Sequence, residues 1–301
     1  MPNYGQLIIG PPGSGKTTYI KAIKNYYKNF HINTISINLD PSIDLIDIDA
    51  YDVNITDLIC TDDVFKTYLL GPNASISYVF QFLHENIDWL YDKMKLNETK
   101  DIKYYYIIDT PGQTELYCQT ESFKKIINKL TDIHAYGVRL CVVNITEILN
   151  IMDLPKYIFS SFNVLNSMIN LELPQINVLS KYDLYEQNKN EINFIHKNNY
   201  TKEVSENNNN NNVSDNKDIE DNQLEDNLDL YLNPESELIK IQLDSYLNNN
   251  PKYFKLNELL CEFICDYSLV GYTTLDVNNA RMLHELIILV DKANGYSFEF
   301  K

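Results

Sequence analysis

Gly10-Pro-Pro-Gly-Ser-Gly-Lys-Thr17 decides how this chain is read. It is a complete Gly-x4-Gly-Lys-Thr segment. Gln6-Leu-Ile-Ile9 before it reads as a buried strand. Thr17 to Tyr27 after it has no Gly or Pro and can begin a helix. Strand, glycine-rich turn and helix, in that order, are the setting in which this segment cradles phosphates. The glycines let backbone N–H groups face a polyphosphate without an intervening Cβ, and the helix N-terminus adds partial positive charge. Gly13, Ser14, Gly15, Lys16, Thr17 and Thr18 are therefore the expected nucleotide-binding loop. Lys16 is expected to reach the β- and γ-phosphates and the Thr17 hydroxyl to bind Mg2+. A chance glycine-rich turn would not also bring both flanks.

Working outward, Asn33-Thr-Ile-Ser-Ile-Asn-Leu39 is dense in β-branched residues and reads as a second strand. It ends in Asp40-Pro41. Two readings of Asp40 stand: a carboxylate at a strand end placed for metal or water work, or a turn-starting Asp before Pro. Residues 42–60 are polar and irregular, either a switch-like loop or a surface connection. Helical spacing follows over Asp62–Leu70 and over Ala74–Leu96, where Val79, Phe82, Leu83, Ile87 and Leu90 recur at three and four. Between them, Gly71-Pro72-Asn73 reads locally as a helix junction: Gly stops one helix, Pro blocks its continuation, and Asn73 caps the next.

Lys103-Tyr-Tyr-Tyr-Ile-Ile-Asp109 is a further strand, and it delivers Asp109-Thr-Pro-Gly-Gln-Thr-Glu115. A strand-end Asp followed by Pro-Gly suits sensing of a γ-phosphate. Asp109 would hold Mg2+ through water, the Gly112 N–H would donate to the γ-phosphate, and Gln113 or Glu115 would orient the attacking water. Arg139–Ile145 and Pro174–Leu179 are strands, with a helix over Asp153–Leu171 whose buried face is marked by Ile158, Phe162, Leu165 and Ile169. The second strand ends in Ser180-Lys181-Tyr182-Asp183. A carboxylate here accepts from guanine N1–H and the 2-amino group, an arrangement adenine does not offer. Asp183 would thus select GTP over ATP, and Lys181 would pack its stem on the base; the other reading is a surface Lys-x-Asp turn. Ser180 stands where Asn or Thr is commoner.

Composition sets the bounds. The 301 residues, 44% of them apolar, suffice for one large domain over 1–301. No run is long and apolar enough for a membrane helix, and Met1-Pro-Asn-Tyr-Gly leads straight into the first strand, so no signal peptide is expected. Five scattered cysteines (Cys60, Cys118, Cys141, Cys261 and Cys265) suggest a reducing compartment. The net charge is −17, and residues 203–244, with 12 acidic residues against two lysines, account for −10. The remaining −7 still argues against direct nucleic-acid binding. The acidic stretch surrounds an unbroken Asn run, Asn207–Asn212. With few apolar groups to offset ordering entropy, 198–235 reads as a disordered insertion. Beyond it, Tyr253–Tyr267 reads as a helix, Leu269–Leu275 as a last strand with Gly271–Thr273 near the base, and Asn278–Asn294 as the closing helix. Strands alternating with helices, with all the active segments at strand carboxyl ends, give an α/β fold: a doubly wound, mainly parallel sheet with helices on both faces.

The phosphate loop, Asn38-Leu-Asp-Pro41, Gly71-Pro72-Asn73, Asp109-Thr-Pro-Gly-Gln113 and Ser180-Lys-Tyr-Asp183 together resemble, in order and spacing, the GPN-loop GTPases. The likeness spans nearly the whole chain outside the Asn-rich insertion. Ile8–Tyr19, Asp266-Tyr-Ser-Leu-Val270 and Val290-Asp-Lys-Ala-Asn-Gly-Tyr296 resemble one paralogue branch of that family. The resemblance implies the dimerising class of phosphate-loop GTPases, with GTP as substrate, GDP as product and Mg2+ as cofactor. Two subunits would face each other across their nucleotides, as a homodimer or as a heterodimer with a paralogue. Asn73 would reach the partner's γ-phosphate and attacking water, beside Gln113, Glu115 and Asp40. It further implies a role in assembly and nuclear delivery of RNA polymerase II, in a protein that is cytoplasmic and shuttles to the nucleus. Two other readings remain from the residues alone: a scaffold that binds GTP without turnover, and a phosphate-loop kinase.

Overall fold

A computed structural model of the chain describes residues 3–42, 51–97, 104–113, 120–150, 154–187 and 270–296, together with Leu228, Leu232, Lys255, Leu256, Leu259, Glu262 and Phe263. In chain order the elements are β1 (Asn3–Ile9), α1 (Lys16–Asn29), β2 (Asn33–Asn38), β3 (Val53–Asn54), α2 (Thr61–Tyr68), α3 (Pro72–Glu85), α4 (Ile87–Asn97) and β4 (Tyr104–Asp109). They continue with α5 (Glu121–Thr131), β5 (Val138–Glu147), α6 (Leu154–Leu171), β6 (Gln175–Ser180), β7 (Tyr272–Thr274) and α7 (Ala280–Asn294). The strands form one parallel sheet in the order β3-β2-β4-β1-β5-β6-β7.

The period of two along each strand builds both cores. In β1, Leu7 and Ile9 join Tyr106 and Ile108 of β4 and Val138, Leu140 and Val142 of β5 under α2 to α5. Ile8 turns the other way, with Tyr105, Ile107, Cys141, Val143 and Ile145, under α1 and α7. Strands covered on both faces read as continuous apolar runs, as Tyr104–Asp109 does. Fully burying each Leu or Ile contributes about 1.5–3 kcal/mol. The doubly wound parallel fold is thus as the sequence predicts. The chain builds β2, β3 and β4 on one side of β1 and then crosses it to build β5, β6 and β7. Such a reversal leaves a crevice at the strand carboxyl ends.

Several local expectations are corrected. The helix expected over 74–96 is two helices. At Asn86 the side-chain Nδ2 donates to the Phe82 carbonyl at 2.9 Å, competing with the helix's own hydrogen bonding. Buried Val79, Leu83, Ile87 and Leu90 keep their spacing across the break, which hides it in the sequence. Asn73 does not cap α3. Gly71 is the N-cap, Pro72 is the first helical residue, and Asn73 lies within the first turn with its side chain exposed. Nor does Gly71 end α2: that role falls to Leu69, at φ 53. On α6, Phe162 and Ile169 are 44% and 60% exposed. The buried stripe runs instead through Ser161 and Ser167, which bond Tyr272 and Gln175, and a search for apolar periodicity passes over serines. Residues 42–60 include β3 and a 3-10 turn at Ile55–Asp57. Gly271–Thr273 does not lie at the crevice. Tyr272–Thr274 is strand, so the loop at that end begins at Leu275, whose carbonyl accepts from Tyr182 N–H.

Leu228 is buried in the cluster of α6, β6 and β7, with Leu232 packed against it. The other residues of 198–235, and most of Tyr253–Tyr267, lie outside the described residues. No helix among the described residues is long and apolar enough to cross a membrane.

One buried carboxylate sits away from the crevice. Asp291 of α7 is 3% exposed, and its Oδ1 accepts from Tyr27 at 2.9 Å and Tyr105 at 3.0 Å. Its Oδ2 has no partner among the described residues. Burial pushes its carboxyl up to about 7, against the two phenols. The folded value therefore lies above the unfolded one of about 3.9. The associated stability is fully present below that lower value and is lost as pH rises towards 7. Asn at this position keeps the acceptor and cannot ionise, but it sets an unpartnered amide where Oδ2 was, offsetting about 1–3 kcal/mol of the gain. Asp291→Asn is expected to raise Tm at pH 8 by about 3 °C and to lower it at pH 4. Thermal unfolding across that range checks it, and a variant that follows the wild-type pH profile would refute it.

Candidate active site

The loop after β1 wraps back on itself. Gly10 is at φ 148, and a Cβ there would come within 2.2 Å of the Ile145 carbonyl oxygen of β5. No other residue fits this contact. Gly15, at φ 95, turns the chain into α1. Lys16 reaches back across the loop, its Nζ donating to the carbonyls of Gly10 at 2.9 Å and Pro11 at 3.2 Å. Burial lowers the pKa of the ammonium, and the carboxylates of Asp109 and Asp40 oppose that shift.

Around this loop lies a cleft of about 540 Å3. Its lining includes Gly13, Gly15, Lys16, Thr17 and Thr18 of the loop, Asp40 after β2, Asp109, Gly112 and Gln113 after β4, and Lys181 after β6. Four strand ends thus converge on one space, as the sequence predicts. Asp109 is 3% exposed, and its Oδ1 accepts from the Thr110 N–H at 2.9 Å. Its Oδ2 accepts from the Tyr51 hydroxyl at 2.6 Å. Burial pushes the Asp109 carboxyl up to about 6, with Tyr51 and Lys16 pulling down and Asp40 pushing up. Asp40 Oδ1 accepts from Ser42 N–H at 3.1 Å, the bond of a turn-starting Asp. The turn reading of Asp40 therefore holds, and the residue also lines the cleft.

Gly112 packs on the phosphate loop, and a Cβ there would come within 2.9 Å of the Pro12 nitrogen. Next to it, the Gln113 Oε1 is buried and accepts from no donor among the described residues. Gln113 also borders a second cleft of about 500 Å3 towards α6, with Asn144, Thr146 and Asn163. Ser14 does not line the phosphate cleft. Its carbonyl accepts the Ser180 hydroxyl at 2.6 Å, and the same hydroxyl lies 3.3 Å from the Thr146 carbonyl. Ser180 therefore ties the end of β6 to the phosphate loop with one short hydrogen bond, despite its departure from Asn. Lys181, at φ 61, pairs with Glu147 at 3.1 Å. Asp183 is half-buried and lies outside the lining of the phosphate cleft. Gly71, Pro72 and Asn73 are exposed and are not part of its lining; they precede Ile76, which lines it, by about one turn. Glu115 lies outside the described residues.

Thr17, Asp109 and Asp40 bring one hydroxyl and two carboxylates. These are hard oxygen donors of the kind Mg2+ takes, alongside substrate phosphates and water. No cluster of three or more His, Cys, Asp or Glu occurs among the described residues. The arrangement fits an ion shared with a nucleotide better than a cage supplied wholly by protein. Two side chains of the site escaped the sequence reading: Tyr51 and Glu147. Tyr51 stands alone in an aperiodic stretch, and nothing in the sequence pairs Glu147 with Lys181.

The profile of a family described as "Conserved hypothetical ATP binding protein" matches residues 8–296. The chain is 35% identical to the GPN-loop GTPase QQT1 of Arabidopsis thaliana over 298 residues, covering 98% of this chain and 86% of that one. It is 33% identical to GPN-loop GTPase 2 of Danio rerio, covering 98% of this chain and 82% of the other. Among solved structures, a GTPase of Pyrococcus abyssi in its apo form aligns with a TM-score of 0.64 at 18% identity, covering 96% of this chain and 97% of that one. That last likeness supports the fold alone.

Proposed function

Because this chain belongs to the GPN-loop GTPase family and is a GTPase, we propose that it works as a Mg2+-dependent switch built from two subunits. The observation that carries the reading is the convergence of Lys16, Thr17, Asp109 and Gln113 on one cleft. In it Lys16 and the backbone of Gly13 to Thr18 bind the phosphates. Thr17, Asp109 and Asp40 hold the ion, which neutralises charge on the β- and γ-phosphate oxygens. Gln113, with Glu115, orients the attacking water, and Asp183 and Lys181 hold guanine. Phosphate release from GTP in Mg2+, with little release from ATP or in EDTA, is the expected result. Transfer of phosphate to an added acceptor would favour a kinase instead.

The two-subunit part is supported by the surface beside Gly71-Pro72-Asn73. Phe65, Tyr68 and Leu69 are 55%, 54% and 80% exposed there. Leu69 also holds a positive φ that costs a leucine about 1 kcal/mol. Apolar surface of this kind is covered well by a second copy or a paralogue. Light scattering with a non-hydrolysable GTP analogue and Mg2+ is expected to give twice the monomer mass. A strict monomer would return Asn73 to its place in the first turn of α3. Asn73→Ala is expected to lower kcat about tenfold without weakening GTP binding by the same subunit. Mixing it with Lys16→Ala, which supplies an intact Asn73, is expected to restore one working site per dimer. Absence of rescue would refute action across subunits.

Family membership further supports RNA polymerase II subunits as partners, in a cytoplasmic protein that shuttles to the nucleus. Copurification of polymerase subunits with the wild type, weakened by Lys16→Ala, is the result that would support this.

A further inference from the structure

We propose that Tyr51 is a positioning residue for the metal: its phenol accepts a hydrogen bond from the Thr17 hydroxyl and donates one to Asp109, so that both groups turn the right atoms to the ion. The proposal rests on the GTPase reading and deepens it.

The geometry is a relay of three hydroxyl and carboxyl groups. The Tyr51 hydroxyl donates to Asp109 Oδ2 at 2.6 Å, a short bond of the charge-assisted kind. The Thr17 side chain lies close enough to the same phenol to favour its ionised form, as a hydroxyl donor would. With its proton committed to Asp109, the phenol oxygen can meet Thr17 only as an acceptor, so Thr17 must donate. A hydroxyl that ligates a cation does so through a lone pair and needs somewhere else to send its proton. Tyr51 is that place. Asp109 is held at both oxygens, by Tyr51 on one side and the Thr110 N–H on the other. It is thereby fixed in rotation at the cleft wall.

Tyr51 is itself fixed. It is 7% exposed and packs in the cluster formed with Tyr19, Ile20 and Tyr105. The next residue, Asp52, anchors it, since its N–H donates to the Ser36 carbonyl at 2.9 Å and its carboxylate accepts from Ser36 N–H at 2.8 Å. A phenol on so firm a base acts as a template rather than a movable side chain. Partners that orient metal ligands from behind typically change metal affinity by about 10–100-fold when removed.

The test is a Mg2+ titration of the full chain loaded with a fluorescent GDP analogue, comparing wild type with Tyr51→Phe. Phe keeps the ring in the core and removes only the relay. The half-saturating Mg2+ concentration is expected to rise about tenfold, while affinity for the GDP analogue in EDTA stays within twofold. Tyr27→Phe removes a fully buried phenol of the same cluster and is expected to leave the Mg2+ midpoint unchanged. Tyr51→His, which keeps a ring and a donor, is the second variant should Phe not fold, and it is expected to fall between. An unchanged or lowered midpoint in the Tyr51 variants would overturn the proposal. Failure of the wild type to bind the GDP analogue at all would instead overturn the nucleotide reading.

Discussion

Replacing Gln113 by Ala is expected to lower kcat for GTP hydrolysis by about 10² while leaving GTP affinity within a few-fold. That loss corresponds to about 2.7 kcal/mol of transition-state stabilisation. The expectation follows from where β4 ends. Asp109 closes the strand, Thr110 anchors the turn by donating from its hydroxyl to the Ile8 carbonyl at 2.8 Å, and Gly112 lies against Pro12. Gln113 is thus carried to the wall of the phosphate cleft on a turn with little freedom. Its Oε1 is a buried acceptor with no protein donor among the described residues. A buried acceptor costs about 1–3 kcal/mol unless a donor meets it. A water molecule aimed at the γ-phosphate is such a donor, and its hydrogen bond to the amide oxygen orients the water's lone pair for attack. The effect arises in the transition state, which is why kcat falls and binding does not. Single-turnover hydrolysis beside equilibrium binding measures both. Equal turnover in the variant would favour a scaffold that binds GTP without using it.

The second large effect concerns the base. Asp183→Asn is expected to weaken GTP binding by about 10³ and to let xanthosine triphosphate compete in its place. In the proposed site the carboxylate would accept from guanine N1–H and from the 2-amino group. An Asn amide sets a donor against that amino donor and leaves both unpaired. Xanthine carries a carbonyl at the same carbon and accepts from the amide. The tether from Ser180 to Ser14 gives the change its leverage, because it fixes the base-reading loop to the phosphate loop. Competition among GTP, xanthosine triphosphate and ATP reads it directly. The family description says ATP and the named relatives say GTP. Wild-type protein that binds ATP as tightly as GTP would remove Asp183 from this role.

Much of the fold and of the cleft is legible in the chain because phosphate chemistry allows few substitutes. Gly10, Gly15 and Gly112 stand where a Cβ or an L-residue backbone does not fit, so the spacing survives as a pattern. The apolar runs of β1, β4 and β5 are read easily since both their faces are covered. What escapes is set by contacts distant in sequence. Tyr51 meets Asp109 only because β3 lies beside β2 at the sheet edge, and two residues of strand leave no period to detect. Glu147 and Lys181 meet because β5 and β6 end side by side. The break at Asn86 is invisible because it does not disturb the apolar spacing. Conversely, α5 carries Phe123, Ile126, Ile127 and Leu130 at the spacing of a buried helix face, a signal that the sequence alone does carry.

The central place of β1 has a consequence for biosynthesis. Tyr4 lies opposite Tyr105 on one side and Arg139 on the other, so the strand made first is framed by strands made much later. At ribosomal rates of about 5–20 residues per second, residues 10–17 wait roughly 7–25 s before Val138–Glu147 has been synthesised. Until β5 leaves the ribosome, the Ile145 carbonyl that closes over Gly10 is out of reach, and the nascent loop has no wall against which to organise phosphates. A nucleotide can therefore act as a folding ligand only once this half of the chain has emerged.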